Sequence, residues 1–244
     1  MKIKIINPNT TWAMTADIAA AGKKFARPDT DVYAVSPSTG PESIESMYDE
    51  YLAVPGVLSE IIKGDREEHA DAFIIACFGD PGLLAAKEVT EKPVIGIAQA
   101  AFTVAKMIAP NFSVVYVLDR SEQVVRESLH LHGVEQFCKS CRSTGLGVLD
   151  FDKDPEAGLR ALAEQGRKCV EDDGAECVVL GCAGFVQFVD ALNQKLGVPV
   201  IDGVSPAVKI CEALVDMGCK TAKKNLWANP EPKNILGLQD IVKF

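Results

Sequence analysis

Histidine is scarce in this sequence, with three in 244 residues. His69 sits in a charged stretch, and His130 and His132 crowd the end of one predicted helix just before Gly133. A histidine base or a Ser-His-Asp triad is hard to assemble from that set. Phosphate-cradling loops are missing too. There is no Gly-x-x-x-x-Gly-Lys-Ser/Thr, and no Gly-x-Gly-x-x-Gly follows a predicted strand. Gly145-Leu146-Gly147 stands before a predicted strand, the wrong order for a dinucleotide turn. No cofactor is expected. No apolar run approaches the roughly 18 residues of a membrane span. The opening Met1-Lys2-Ile3-Lys4-Ile5-Ile6-Asn7-Pro8 stops being apolar too early for a signal peptide. Lys and Arg number 25 against 34 Asp and Glu, a net charge of −9, and form no cluster. Neither nucleic acid nor a membrane is an expected partner.

What is present is a chain 48% hydrophobic and 24% charged, long enough to bury a large core. Its eight cysteines read as the reduced thiols of a cytoplasmic protein, not as a disulfide framework. Short apolar runs alternate with longer amphipathic stretches, the pattern of βαβ units around parallel sheets. Strands are predicted at Ile3–Ile6, Ala72–Ala76, Val94–Ile97, Phe112–Leu118, Cys177–Gly181 and Val198–Ile201. A helix is predicted over Trp12–Phe25, capped by Asn9 or a threonine, and another over about Ala98–Ile108. Asp80 with Pro81 reads as the start of a helix, as do Ser121 and Ser205 with Pro206. Ser36 to Ser46 is a loop long enough to carry function.

The plan occurs twice. Cys77 precedes Pro93 by nearly the interval that separates Cys182 from Pro199, and Pro93-Val94-Ile95-Gly96 echoes Pro199-Val200-Ile201-Asp202. Two similar α/β lobes with parallel sheets, related by a pseudo-twofold duplication, are expected, with the active site in the cleft between them. Residues 1–98 with 209–244 would form the first lobe and 99–208 the second.

Cys77 and Cys182 take the same place in each half, after a buried strand and before a helix. Ligands of open parallel sheets bind outside the carboxyl ends of the strands, and a helix start favours a thiolate. A cysteine at a strand end is commonly a small buried hydrophobe. Two in equivalent positions, each among glycines, point instead to a site. Opposed thiols suit removal of a proton from one face of a carbon and delivery to the other, which is racemisation or epimerisation. Asn9 points at the same mouth as Cys77, or else serves only as a helix cap. Cys169, Cys177, Cys211 and Cys219 read as core or helix-face residues. Cys138-Lys139-Ser140-Cys141 has redox or zinc spacing without a second ligand pair, so no metal site is expected.

Ile6-Asn7-Pro8-Asn9-Thr10, Ala76-Cys77-Phe78-Gly79-Asp80-Pro81-Gly82, Leu180-Gly181-Cys182-Ala183-Gly184, Val198–Val204 and the tail Trp227–Lys233 together resemble the hydantoin and allantoin racemases of the aspartate/glutamate racemase superfamily. The resemblance runs in order over nearly the whole chain. It implies cofactor-independent racemisation by two cysteines, which map onto Cys77 and Cys182. It implies that Asn9 reaches the substrate and that backbone amides at Phe78, Gly79, Ala183 and Gly184 hold the ring carbonyls. Amino-acid racemases of the superfamily carry Cys-Asn-Thr and Cys-Thr-His; Cys-Phe-Gly and Cys-Ala-Gly stand here, leaving amide donors suited to a neutral ring. One departure is Tyr116-Val117-Leu118-Asp119-Arg120, where the family carries small hydroxyl residues. Asp119, with Leu118, is expected to line the cleft and alter the accepted substituent.

The expected activity is racemisation of 5-monosubstituted hydantoins, allantoin among them, through an enolate. A homo-oligomer is expected. The alternatives are a maleate-type cis–trans isomerase or an amino-acid racemase on the same scaffold, or a two-lobe small-molecule binding module.

Overall fold

The computed structural model describes residues 1–233 and 235–237. The part of the predicted first lobe at residues 234 and 238–244 lies outside the described residues. Two four-stranded parallel sheets form, one from β1 (Lys2–Ile6), β2 (Asp31–Val35), β3 (Ala72–Ile75) and β4 (Val94–Gly96), the other from β5 (Phe112–Tyr116), β6 (Cys138–Ser143), β7 (Val178–Leu180) and β8 (Val200–Ile201). Their strand orders are the same, β2-β1-β3-β4 and β6-β5-β7-β8. The repeat read from the sequence is thus a repeat of topology. The edge strands β2 and β6 escaped the apolar-run pattern. β2, Asp-Val-Tyr-Ala-Val, is short and begins with a charged residue, and β6, Cys-Lys-Ser-Cys-Arg-Ser, is polar; both are largely half-exposed, as edges commonly are.

The helices are α1 (Trp12–Phe25), α2 (Met47–Arg66), α3 (Leu83–Val89), α4 (Ile97–Ile108), α5 (Glu122–Leu131), α6 (Asp150–Lys153), α7 (Pro155–Glu171), α8 (Val189–Leu196) and α9 (Val204–Asp216). The sequence after Gly145-Leu146-Gly147 forms the short helix α6, not a strand. Two helices tie the sheets together. α4 leaves β4 of the first sheet and buries Ala98, Ala101, Phe102 and Ala105 with Phe112 and Val114 of the second. α9 leaves β8 of the second sheet and buries Val204, Ala207, Val208 and Cys211 with Ile3, Ile5 and Ile74 of the first. The two helices also pack on each other, so the lobes share one core seam. No helix among the described residues is long and apolar enough to cross a membrane.

Two predicted caps are corrected, and a third is met in position only. Asp80 does not start the helix that follows it. α3 begins at Leu83 behind Gly82, which takes a left-handed φ of 74°. Asp80, itself at φ 49°, turns its carboxylate to a different helix and accepts from Ala98 and Gln99 N–H at the start of α4. Ser121 does stand at the N-cap position of α5, but its Oγ donates across to Glu45 O and not to the helix. α9 begins at Val204 behind Gly203, and Ser205, already inside it, donates its N–H and hydroxyl back to the Asp202 carboxylate.

Lys4 looks like a polar interruption in an apolar strand, yet it is fully buried. Its Nζ meets Glu60 Oε2 at 2.8 Å and Glu68 Oε2 at 2.9 Å, and donates to Glu60 O. Against the upward push of burial, hydrogen bonds from Tyr33 and Lys4 hold Glu68 below the usual carboxylate range. Removing one member of a buried ion cluster strands the others. Lys4→Ala is expected to lower unfolding stability by about 3–5 kcal/mol, measured by urea denaturation at pH 7.

Candidate active site

The carboxyl ends of β1, β3, β5 and β7 converge on a narrow cavity of about 50 Å³. β3 delivers Ala76, Cys77, Phe78 and Gly79; β7 delivers Gly181, Cys182 and Ala183; β1 delivers Asn7 and Asn9; β5 delivers Tyr116 and Val117. After each cysteine the chain makes the same kind of turn. Asp80 N–H bonds to Cys77 O at 2.9 Å and Phe185 N–H to Cys182 O at 3.2 Å. This turn brings one amide toward each sulfur, Gly79 beside Cys77 and Gly184 beside Cys182, where each favours the charged form. The two thiols are near enough that charge on Cys182 disfavours charge on Cys77.

Burial decides the thiol chemistry. Desolvation, then the neighbouring Glu50 carboxylate, pushes the Cys77 thiol well above its ordinary value, against the pull of the Gly79 amide. Desolvation pushes Cys182 up to about 11, opposed by the Gly184 amide. The expectation of thiolates stabilised by helix starts is corrected on this point. A single amide per sulfur does not offset a site this enclosed, and a turn separates Cys77 from α3. Both groups rest as thiols.

The 36–46 loop roofs the cavity. Gly56 of α2 lets it pass closely, since a Cβ there would lie 2.7 Å from Pro37 Cβ. From the first lobe, Thr10 N–H bonds to Pro41 O. In the second, Ser121 Oγ donates to Glu45 O and Val148 N–H to Glu45 Oε1. Ile44, Glu45 and Ser46 thereby reach the cavity wall, followed by Glu50 from the first turn of α2. Reading the sequence singled out this loop by its length but none of these residues. Apolar side chains of Met14, Val124, Val125 and Val148 complete the walls.

Asn9 lies on the cavity wall and does not cap α1, whose N-cap position is Thr11; it closes the turn before the helix. Its Oδ1 accepts from Thr11 N–H and Asn7 Nδ2, both at 2.9 Å. Gly184 sits behind Cys182, outside the lining, with its amide beside the sulfur. Leu118 and Asp119 do not line the cavity either. Asp119 is exposed and accepts from Ser143 Oγ, and Ser121 takes the expected place at the wall. Cys169, Cys177 and Cys211 are buried, whereas Cys219 is exposed beyond α9. Cys138 and Cys141 lie on edge strand β6 with their sulfurs 3.8 Å apart. Cys141, hydrogen-bonded by Cys138 and near Arg126, is held below the ordinary thiol value; it, not Cys77 or Cys182, is the thiol shifted toward thiolate. No cluster of three or more His, Cys, Asp or Glu among the described residues is arranged to hold a metal ion.

Two parallel sheets of matching order, each ending in a cysteine turned toward one shared cavity, define a two-lobed α/β enzyme. The sequence profile of the Asp/Glu/Hydantoin racemases matches residues 3–211. A hydantoin racemase of Pseudomonas sp. (strain NS671) is 53% identical over 237 residues, which cover 97% of this chain and 95% of that one. The solved structure of an allantoin racemase from Klebsiella pneumoniae matches with a TM-score of 0.96 at 43% identity, covering 100% of both chains. Another, from Pseudomonas fluorescens, matches at 0.93 and 36% identity over 97% of this chain and 100% of its own. The chain belongs to the Asp/Glu/Hydantoin racemase family and is an isomerase.

Proposed function

We propose that the enzyme racemises 5-monosubstituted hydantoins by two-base proton transfer at C5 between Cys77 and Cys182. One observation carries this reading: two thiols at equivalent positions of the repeat face one cavity. The C5 hydrogen is flanked by a ring carbonyl, so its removal gives an enolate. One sulfur, as thiolate, takes the proton from one face; the other, as thiol, returns a proton to the opposite face. The Gly79 and Gly184 amides steady whichever sulfur is charged. The amides of Phe78 and Ala183 stabilise the enolate oxygen. Asn9 holds the ring at the wall of the first lobe. A raised thiol pKa makes a stronger base present in smaller amount, the compromise that general-base catalysis sets. The aliphatic walls from Met14, Val117, Val124 and Val148 favour an apolar C5 substituent over the ureido group of allantoin.

The reading places the enzyme in the cytoplasm as a homo-oligomer; Tyr48, Tyr51 and Leu52, exposed along α2, offer such an assembly an apolar face to bury. The test is loss of optical rotation across a panel of single-enantiomer hydantoins with apolar and ureido substituents. Rotation is expected to decay to zero from either enantiomer, fastest with apolar substituents. With burial pushing both thiols up, Cys182 to about 11, kcat/KM is expected to rise with pH from 7 to 9, because the thiolate fraction grows below its pKa. Ligand binding across the panel with no loss of rotation would instead mark a binding module.

A further inference from the structure

Glu50 lies in the first turn of α2 and forms the partition between the thiol cavity and an outer groove of about 780 Å³ between α2, the 79–82 turn and α5. Its Oε1 is buried and has no hydrogen-bond partner. Of the buried unpartnered side-chain oxygens among the described residues, it alone belongs to the lining of the thiol cavity. Two other acceptors on that wall are engaged. Asn9 Oδ1 serves Asn7 and Thr11, and Glu45 Oε1 serves Val148. The carboxylate also takes the room of a missing side chain. A Cβ on Gly79 would fall 1.3 Å from Glu50 Oε1. A side chain at 79 would therefore have to displace the Glu50 carboxyl, which reaches from another element into the space beside Cys77. The groups that act on Glu50 are acidic. Burial first, then Asp80 and Glu127, push its carboxyl up to about 7.

A buried acceptor without a donor is costly unless something brings the donor. A neutral cyclic ureide brings N–H groups next to its carbonyls. An α-carboxylate brings charge of the same sign as Glu50, Asp80 and Glu127. We propose that Glu50 is a specificity-determining residue of this site, accepting a ring N–H of the bound ureide and turning away substrates or products that carry a free carboxylate. This assignment rests on the hydantoin reading above. It gives the replacement of Cys-Asn-Thr by Cys-Phe-Gly a physical sense: the third side chain is removed, and an acceptor for N–H enters from α2.

The test compares wild type, Glu50→Gln and Glu50→Leu above pH 8, using a 5-substituted hydantoin, its N1-methyl and N3-methyl derivatives, and the ring-opened N-carbamoyl amino acid as inhibitor. Wild type is expected to lose roughly 10- to 100-fold in kcat/KM when the bonded nitrogen is methylated, the scale of a hydrogen bond to a charged group. In Glu50→Leu the parent and that methyl derivative should fall within about threefold of each other. Glu50→Gln keeps the shape and removes the charge, so the N-carbamoyl acid should inhibit it at least about tenfold more tightly than wild type. It also serves if the leucine variant fails to fold. Undiminished discrimination against N-methylation in folded Glu50→Leu, or unchanged inhibition of Glu50→Gln by the acid, would reduce Glu50 to a buttress for the Cys77 turn and overturn the assignment. A wild-type enzyme that leaves the parent hydantoin unracemised overturns the function reading itself, and Glu50's role with it.

Discussion

Cys77→Ser and Cys182→Ser are each expected to lose hydantoin racemisation by at least roughly 10² to 10⁴, the share supplied by a positioned acid or base. Serine keeps the shape of the turn and the amide contact from Gly79 or Gly184. Its hydroxyl is too weak an acid to become the base, and one face of the ring is then closed. Both changes replace one atom at the wall of the cavity, so folding should be little affected. Each variant should therefore unfold within about 0.5 kcal/mol of wild type in urea while its racemisation falls to the blank rate. A variant that lost stability and activity together would report damage to the turn and not to the chemistry. Cys138→Ser serves as the comparison. Cys141 is the more acidic thiol, so alkylation alone cannot identify the catalytic pair. Replacement on β6 should leave racemisation intact.

The second large effect is expected from a residue with no direct part in proton transfer. Asp80→Ala removes the acceptor for Ala98 N–H, Gln99 N–H and His132 Nε2, at 3.1, 2.9 and 3.0 Å. Asp80 is buried and directly follows Gly79, so its carboxylate ties the Cys77 turn to the start of α4 and the end of α5. Burial, opposed by His132 and the two amides, leaves its pKa raised, so part of the gain from these bonds is already spent on desolvation. Truncation should cost about 3–5 kcal/mol in urea denaturation, as for other buried charge partners. In the fraction that folds, kcat/KM should fall by about 10², because the Gly79 amide and Cys77 lose their anchor. Asp80→Asn retains one acceptor oxygen and should lose less of both. Unchanged stability in Asp80→Ala would contradict this account of the turn.

These residues also mark where sequence reading stops. The α1 limits, Trp12 and Phe25, were legible because they depend on an apolar face and on local breakers. The matching placement of Cys77 and Cys182 was legible because duplication leaves the same intervals in both halves. Asp80 was misassigned because an aspartate before a proline looks like a local cap, whereas its partners lie 18 and 19 residues away across a packed seam. Lys4 gave no sign of burial, since Glu60 and Glu68 meet it only when α2 folds back on β1. Glu50 was hidden for the same reason. In sequence it is one of several nearby acidic residues, and only the space beside Gly79 reveals its place. The thiol shifts depend on depth of burial, which residue type and a neighbouring turn do not encode.

The opposed-thiol mechanism is tested most directly by C5 hydrogen exchange in D₂O, followed by NMR on single-enantiomer hydantoins with Cys77→Ser and Cys182→Ser. The spontaneous enolisation of the ring is subtracted with an enzyme-free blank. Each remaining cysteine can still take the proton from its own face and return deuterium to it. Each variant is therefore expected to exchange one enantiomer only, without inverting it, and the two variants should choose opposite enantiomers. Exchange of the same enantiomer by both variants, or racemisation by either at the wild-type rate, would contradict the mechanism.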